Sequence, residues 1–244
     1  RALPALDQPD LGREGSADQS DDQRRTVSPA DKPHAPATER NRDAILEVLA
    51  DHFSHPARIL EIGGGTGQHA VYFAQALPHL HWQCSDRVER LDGIRLWLAE
   101  SALENTPSPL ELDVAGRWPE QHFDGIFSAN TLHIMSWPEV ESMFAGLRSI
   151  LAPHARLVVY GPFKYQQQHT SDSNREFDQS LRAELPSRGI RDFEAVDALA
   201  QGIGLRLIED RAMPANNRCL VWKRIEELSN APQSEGGDRP GTSA

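Results

Sequence analysis

Short apolar runs alternate with amphipathic segments through most of this chain, and that alternation constrains its fold more than any other feature. Residues 58–62, 81–85, 110–112, 123–129 and 157–160 read as strands, and residues 68–77, 88–102, 138–151 and 192–201 read as helices between or after them. Strand-helix alternation implies a mainly parallel sheet with helices on both faces, because a parallel crossover needs a covering segment. Residues 205–212 and 218–223 close the pattern as two strands joined by the short 213–217 turn. A turn that short cannot make a crossover, so this last pair is expected to be antiparallel. Residues 161–190, rich in Gln, His, Ser and Arg, do not follow the alternation and read as an insertion over the site.

The ends have a different composition. Residues 1–33 and 225–244 are dominated by Asp, Gln, Ser, Pro and Gly without apolar periodicity and read as disordered tails around a domain at 34–224. The tails account for −2 and −3 of the chain's formal charge of −11, leaving −6 on the middle. An acidic domain argues against nucleic acid as the partner. No apolar run approaches the roughly 18 residues of a spanning helix, so no membrane role is expected. The two cysteines, Cys84 and Cys219, lie far apart and outside any metal-binding spacing. They suggest no bound metal, and suit a reducing cytoplasm.

The chemistry begins where the first strand, Ile59-Leu60-Glu61-Ile62, runs into Gly63-Gly64-Gly65-Thr66-Gly67 and then into a helix. Glycines there permit positive φ and close approach of a ligand, and the helix start offers unpaired N–H groups. A dinucleotide fingerprint counted from Gly63 would need glycine at 68, where Gln68 stands, and no Gly-Lys-Ser/Thr follows for a phosphate loop. Asp86, 19 residues past Gly67, ends the second strand, where a carboxylate can accept from two ribose hydroxyls. Asp113 follows the third strand, placed to accept from an adenine amino group while Val114 packs on the ring; a turn cap is the plainer role for the same residue. Glycines, a ribose acceptor and an adenine acceptor on three successive strand ends fit one ligand at the carboxyl edge of the sheet.

With these features the chain resembles the class I S-adenosylmethionine-dependent methyltransferases over about residues 34–224. More narrowly it resembles the domain-of-unknown-function 938 family, including the methyltransferase-like protein 26 group. The blocks that carry the closer match are Ala37-Thr38-Glu39-Arg40-Asn41, Gly65-Thr66-Gly67-Gln68-His69-Ala70-Val71-Tyr72-Phe73, Asn130-Thr131-Leu132-His133-Ile134, Tyr160-Gly161-Pro162-Phe163-Lys164, Gly189-Ile190-Arg191-Asp192 and Met213-Pro214-Ala215-Asn216-Asn217. Gly63-Gly64 departs from the Ala-Ser often found there in the family.

The resemblance implies a Rossmann-like α/β fold, with a seven-stranded, mostly parallel sheet whose last strand is antiparallel. It further implies S-adenosylmethionine as cofactor, becoming S-adenosylhomocysteine. Glu61, Gly63, Gly64, Gly65 and Gly67 would cradle the methionine half, Asp86 the ribose, and Asp113 with Val114 the adenine, while Asn130 would offer its carbonyl to the ammonium group. Arg40 and Asn41, just before a helix expected at 42–53, would cap the pocket.

Methyl transfer is an in-line displacement, so alignment and exclusion of water are the main demands. A base near the acceptor would help, and His133, His169 and Tyr165 are the candidates, His133 first. Trp137 and Phe163 offer an aromatic wall, and Asn174 and Asn216 offer polar contacts to an acceptor. A small-molecule methyltransferase is the leading expectation. Beside it stand a cofactor-binding protein that acts only as an interaction partner, and a nucleotide-dependent oxidoreductase, which the glycine spacing disfavours. The sequence specifies no protein partner.

Overall fold

The computed structural model describes residues 32–225; the expected tails fall almost wholly outside that range. Seven strands form the main sheet: β1 (Ala57–Ile62), β2 (Leu80–Asp86), β3 (Leu110–Glu111), β4 (Phe123–Ala129), β5 (Leu151–Gly161), β9 (Leu205–Met213) and β10 (Asn217–Arg224). Their order is β3-β2-β1-β4-β5-β10-β9. The first five pair in parallel, and β10 runs antiparallel to both β5 and β9. Because β1 and β4 are central, and each is followed by a turn and helix, their carboxyl ends form a crevice where the order reverses.

The alternation along β1 shows why both faces are covered. Ile59 points into one apolar layer with helices α1 (Pro36–His52), α2 (Gln68–Ala76) and α3 (Val88–Ser101), whereas Leu60 and Ile62 join the other, with α4 (Trp137–Ile150) and α6 (Phe193–Gly202). Trp82, Phe73 and Phe127 pack in the first layer with ring centroids 5.4–5.6 Å apart, at tilted or edge-on angles that suit aromatic rings.

Several expected features differ. Helix α1 starts at Pro36, six residues before the expected position, since proline at the first turn lacks only an N–H that has no intrahelical partner. Strand β5 starts at Leu151, which pairs with Phe123 ahead of a register shift. The turn before β10 is a 3-10 segment, Pro214–Asn216, with Ala215 and Asn216 at φ 56° and 57°. The 161–190 insertion is ordered: β6 (Phe163–Tyr165), β7 (Gln168–His169) and helix α5 (Asp172–Glu184), with β6 completing a three-stranded sheet between β7 and β8 (Arg191–Asp192). Lys32 and Pro33, grouped with the tail by composition, pack on α3: Lys32 Nζ lies 3.7 Å from the Trp97 ring centroid and 2.6 Å from Glu100. No helix among the described residues is long and apolar enough to cross a membrane.

Candidate active site

The loop between β1 and α2 adopts positive φ at Gly63 (73°), Gly65 (60°) and Gly67 (88°). The three glycines have different surroundings. A Cβ at Gly63 would come within 2.7 Å of the Thr131 side chain, and one at Gly67 within 3.1 Å of Ile94 Cα, so close packing requires glycine there. At Gly65 a Cβ would meet nothing within 4 Å among the described residues. Gly65 therefore faces open space, which is what a ligand cradle needs. The loop is fastened from below, because the N–H groups of Gly63 and Gly64 donate to Ser85 O at 3.1 and 3.0 Å.

Asp86 stands beside this opening. Its Oδ2 accepts the Gly65 N–H at 2.7 Å, and its Oδ1 accepts the Arg87 N–H at 2.7 Å. Burial raises its carboxyl above the ordinary range, opposed by these two donors. A carboxylate has about four lone-pair sites, so both oxygens can still accept from hydroxyls. Glu61 lies deeper, 1% exposed, accepting from Trp82 Nε1 at 2.9 Å; burial pushes its carboxyl up to about 7. The Cys84 thiol beside it is pushed well up by the same burial. Asp113 lies two residues beyond Glu111, the register partner of Asp86. Its Oδ1 accepts the Ala115 N–H at 2.9 Å, which is the turn-capping role set out above. Val114 is buried in the α4-side core.

At the end of β4, Asn130 takes φ 56° and donates its N–H to Tyr160 O at 2.8 Å. The next turn carries His133, 5% exposed, with its ring edge-on to Phe177 at 5.4 Å. Burial, then the Arg191 charge, pushes this imidazole down to about 4, so it is neutral near pH 7. Its ring nitrogens make no hydrogen bond among the described residues. Helix α5 spans from this turn to the β9–β10 connection, where Asn174 Nδ2 donates to Asn216 O at 3.0 Å and Asn216 Nδ2 donates to Ser173 Oγ at 3.2 Å.

The remaining candidates lie on β6, β7, α4 and α1. Tyr165 donates its hydroxyl to Asp210 Oδ2 at 2.8 Å and stacks on Phe193, and burial with this carboxylate raises its pKa. The phenol is thus engaged by Asp210 and keeps its proton near neutral pH. Phe163, 2% exposed, is core rather than an open aromatic wall. His169 has Nε2 3.5 Å from Asp178 Oδ2, while its Nδ1 is buried without a hydrogen-bond partner among the described residues. Trp137 opens α4 with its indole N–H on Glu141 at 2.8 Å. Arg40 is exposed on α1, whereas Asn41 is buried.

Asn41 leads to residues the sequence reading did not single out. Its Oδ1 lies 2.8 Å from His69 Nε2; an amide oxygen only accepts, so Nε2 carries the proton and Nδ1 is left as an acceptor. Burial pushes His69 down to about 4. The Tyr160 hydroxyl lies beside the Asn41 and Asn217 amides. Gln68 Oε1 accepts the Ala35 N–H at 2.6 Å and so ties the start of α1 to the loop. The available signal was the polar pair Gln68-His69 directly after the last glycine. Among the described residues no group of three His, Cys, Asp or Glu side chains could hold a metal ion.

This sheet order and edge define the class I methyltransferase fold, and solved structures share it. The family described as "protein of unknown function (DUF938)" matches residues 32–224, and the chain belongs to that family. The S-adenosylmethionine-dependent methyltransferase SibL is 21% identical with a TM-score of 0.67, over 78% of this chain and 56% of that one. CalO1, a methyltransferase in calicheamicin biosynthesis solved with SAH bound, is 20% identical with a TM-score of 0.61, over 75% and 54%. An O-methyltransferase family 2 protein from Planctomyces limnophilus, in complex with apigenin, is 15% identical with a TM-score of 0.67, over 78% and 58%. The chain thus spans little more than half the length of these structures.

Proposed function

We propose that the protein is an S-adenosylmethionine-dependent methyltransferase acting on a small-molecule nucleophile. The observation that carries this reading is the open backbone at Gly65 with the Asp86 carboxylate on its N–H, at the crevice between β1 and β4. The resident cofactor would supply an electrophilic methyl group on a sulfonium. Gly63, Gly64, Gly65 and Gly67 with Glu61 would hold its methionine half, Asp86 its ribose, and Asp113 with Val114 its adenine. The Asn130 carbonyl would meet the ammonium group, with Asn41 and Arg40 closing from α1. On the acceptor side stand Trp137, Asn174 and Asn216, with SAH-bound CalO1 and the apigenin complex supporting the ligand classes.

His133 is the base in this reading. A neutral imidazole whose ring nitrogens make no hydrogen bond among the described residues can receive the acceptor's proton, which becomes far more acidic as the new bond to carbon forms. Alignment and a dry pocket supply the rest. The low basicity of His133 favours one second reading, a cofactor-binding partner protein without turnover. The buried free thiols of Cys84 and Cys219 support a reducing cytoplasm, and the sequence blocks support the methyltransferase-like protein 26 group.

Calorimetry tests the reading. SAH is expected to bind saturably and NAD not at all, and Asp86→Ala to weaken SAH by about tenfold or more, about 1.4 kcal/mol. A folded Asp86→Ala variant with unchanged affinity would remove that residue from the site. If wild type binds SAH and no metabolite extract shows methyl transfer, the partner reading stands.

A further inference from the structure

The block Gly189-Ile190-Arg191 converges on the turn that carries His133. The Gly189 N–H donates to the His133 carbonyl at 3.0 Å. Arg191, buried at the start of β8, donates through Nε to Leu132 O at 2.9 Å and through Nη2 to Met135 O and, at 3.0 Å, to Ser187 O. The carbonyls on both sides of His133, and its own, are thus gripped from one short segment. The grip has its own foundation on α5. Asp178, 7% exposed, accepts the Ile190 N–H on Oδ1 at 2.6 Å and Arg182 Nε on Oδ2 at 3.0 Å. Gly189 sits so tightly, at φ 145°, that a Cβ would come within 2.7 Å of Asp178 Oδ1 and Arg182 Nη2.

Burying a guanidinium is costly, and apolar packing would hold a turn more cheaply. A planar fork provides what packing does not: it fixes several carbonyls in one plane and carries a permanent charge. We propose that Arg191, with the Gly189 N–H, is the positioning residue for His133, holding the 132–135 turn so that the imidazole stands against Phe177 at the carboxyl edge. This rests on the reading of His133 as the base. Among the described residues the charge that acts on the ring is Arg191 on β8, with Asp178 and Arg182 on α5 and Glu139 on α4 grouped about that guanidinium. The ring's own neighbour on α5 is the apolar Phe177.

Nuclear magnetic resonance of the imidazoles tests this without an acceptor. His133 signals, assigned by their loss in His133→Asn, are followed across pH in wild type, Arg191→Met and Arg191→Lys, with SAH affinity measured for each. In wild type the ring is expected to titrate near 4 and to show contact with Phe177. Arg191→Met should raise the midpoint by about one pH unit or more and abolish the contact, with SAH affinity within about twofold. Arg191→Lys keeps the charge but reaches fewer carbonyls, so it should lose the contact with a smaller rise. A folded Arg191→Met that keeps both the midpoint and the contact overturns the proposal. If that variant does not fold, Arg191→Lys behaving as wild type overturns it. Wild type failing to bind SAH would instead overturn the methyltransferase reading, and the ring signals would still decide the role of Arg191.

Discussion

Adjacent glycines in the β1–α2 loop answer to different demands, and alanine at each should separate them. Gly65 has φ 60° and, among the described residues beyond its chain neighbours, no atom within 4 Å of a would-be Cβ, whereas a Cβ at Gly64 would lie 2.2 Å from the Cys84 Sγ in the core. Gly65→Ala should therefore cost about 1 kcal/mol of stability, from left-handed backbone, while lowering SAH affinity by about tenfold or more as its methyl enters the cradle. Gly64→Ala should instead be the less stable variant, by about 2 kcal/mol, because overpacking a dense core forces neighbours off their rotamers. Urea unfolding and calorimetry on the pair check both halves; equal SAH loss at both positions would mean that Gly65 does not face the ligand. At this scale the sequence displayed the glycines and Asp86, since strand ends and spacing place them. It did not display the partners of Tyr165 or His69, because Asp210 lies 45 residues from the tyrosine and Asn41 lies 28 from the histidine, brought close only by the finished sheet.

Strands and helices with apolar faces were legible, and α5 shows why one helix was not. Its buried positions are Asn174, Asp178 and Leu181, spaced as one helical face but mostly polar, so no apolar period marks it. Its face is held by side-chain hydrogen bonds in place of oily packing. Ser171 caps it by accepting the Asn174 N–H at 3.1 Å, and Asp178 anchors it to Ile190 and Arg182. Asp178→Ala would leave the Ile190 N–H and the His169 ring without their carboxylate, a loss of roughly 2–3 kcal/mol. That loss should fall locally. Hydrogen exchange of α5 amides should accelerate while β1 and β4 amides keep most of their protection. Uniform acceleration across the sheet would show instead that the insertion and the main sheet open as one unit.

For the whole molecule, the buried titrating groups set opposing dependences on pH. His69 and His133 sit near 4 in the folded chain against an ordinary 6.5. As pH falls through 6.5 the unfolded chain takes up these two protons and the folded chain does not, so both histidines reduce stability towards acid. Glu61 acts the other way: at about 7 folded against an ordinary 4.5, it makes the folded chain the one that holds the extra proton over most of that range. Asp86, also raised, adds in the same sense nearer its own ordinary value. Two protons against one leaves stability falling by roughly 1 kcal/mol per pH unit from pH 6.5 to 4.5. Glu61→Gln keeps an acceptor for the Trp82 N–H and removes the opposing proton, so its stability should fall about twice as steeply over that window. Urea unfolding at half-unit pH steps measures both slopes. A variant slope no steeper than wild type would mean that Glu61 is ionised in the folded protein near neutrality, so a charge rather than a neutral acid would lie beneath the glycine loop.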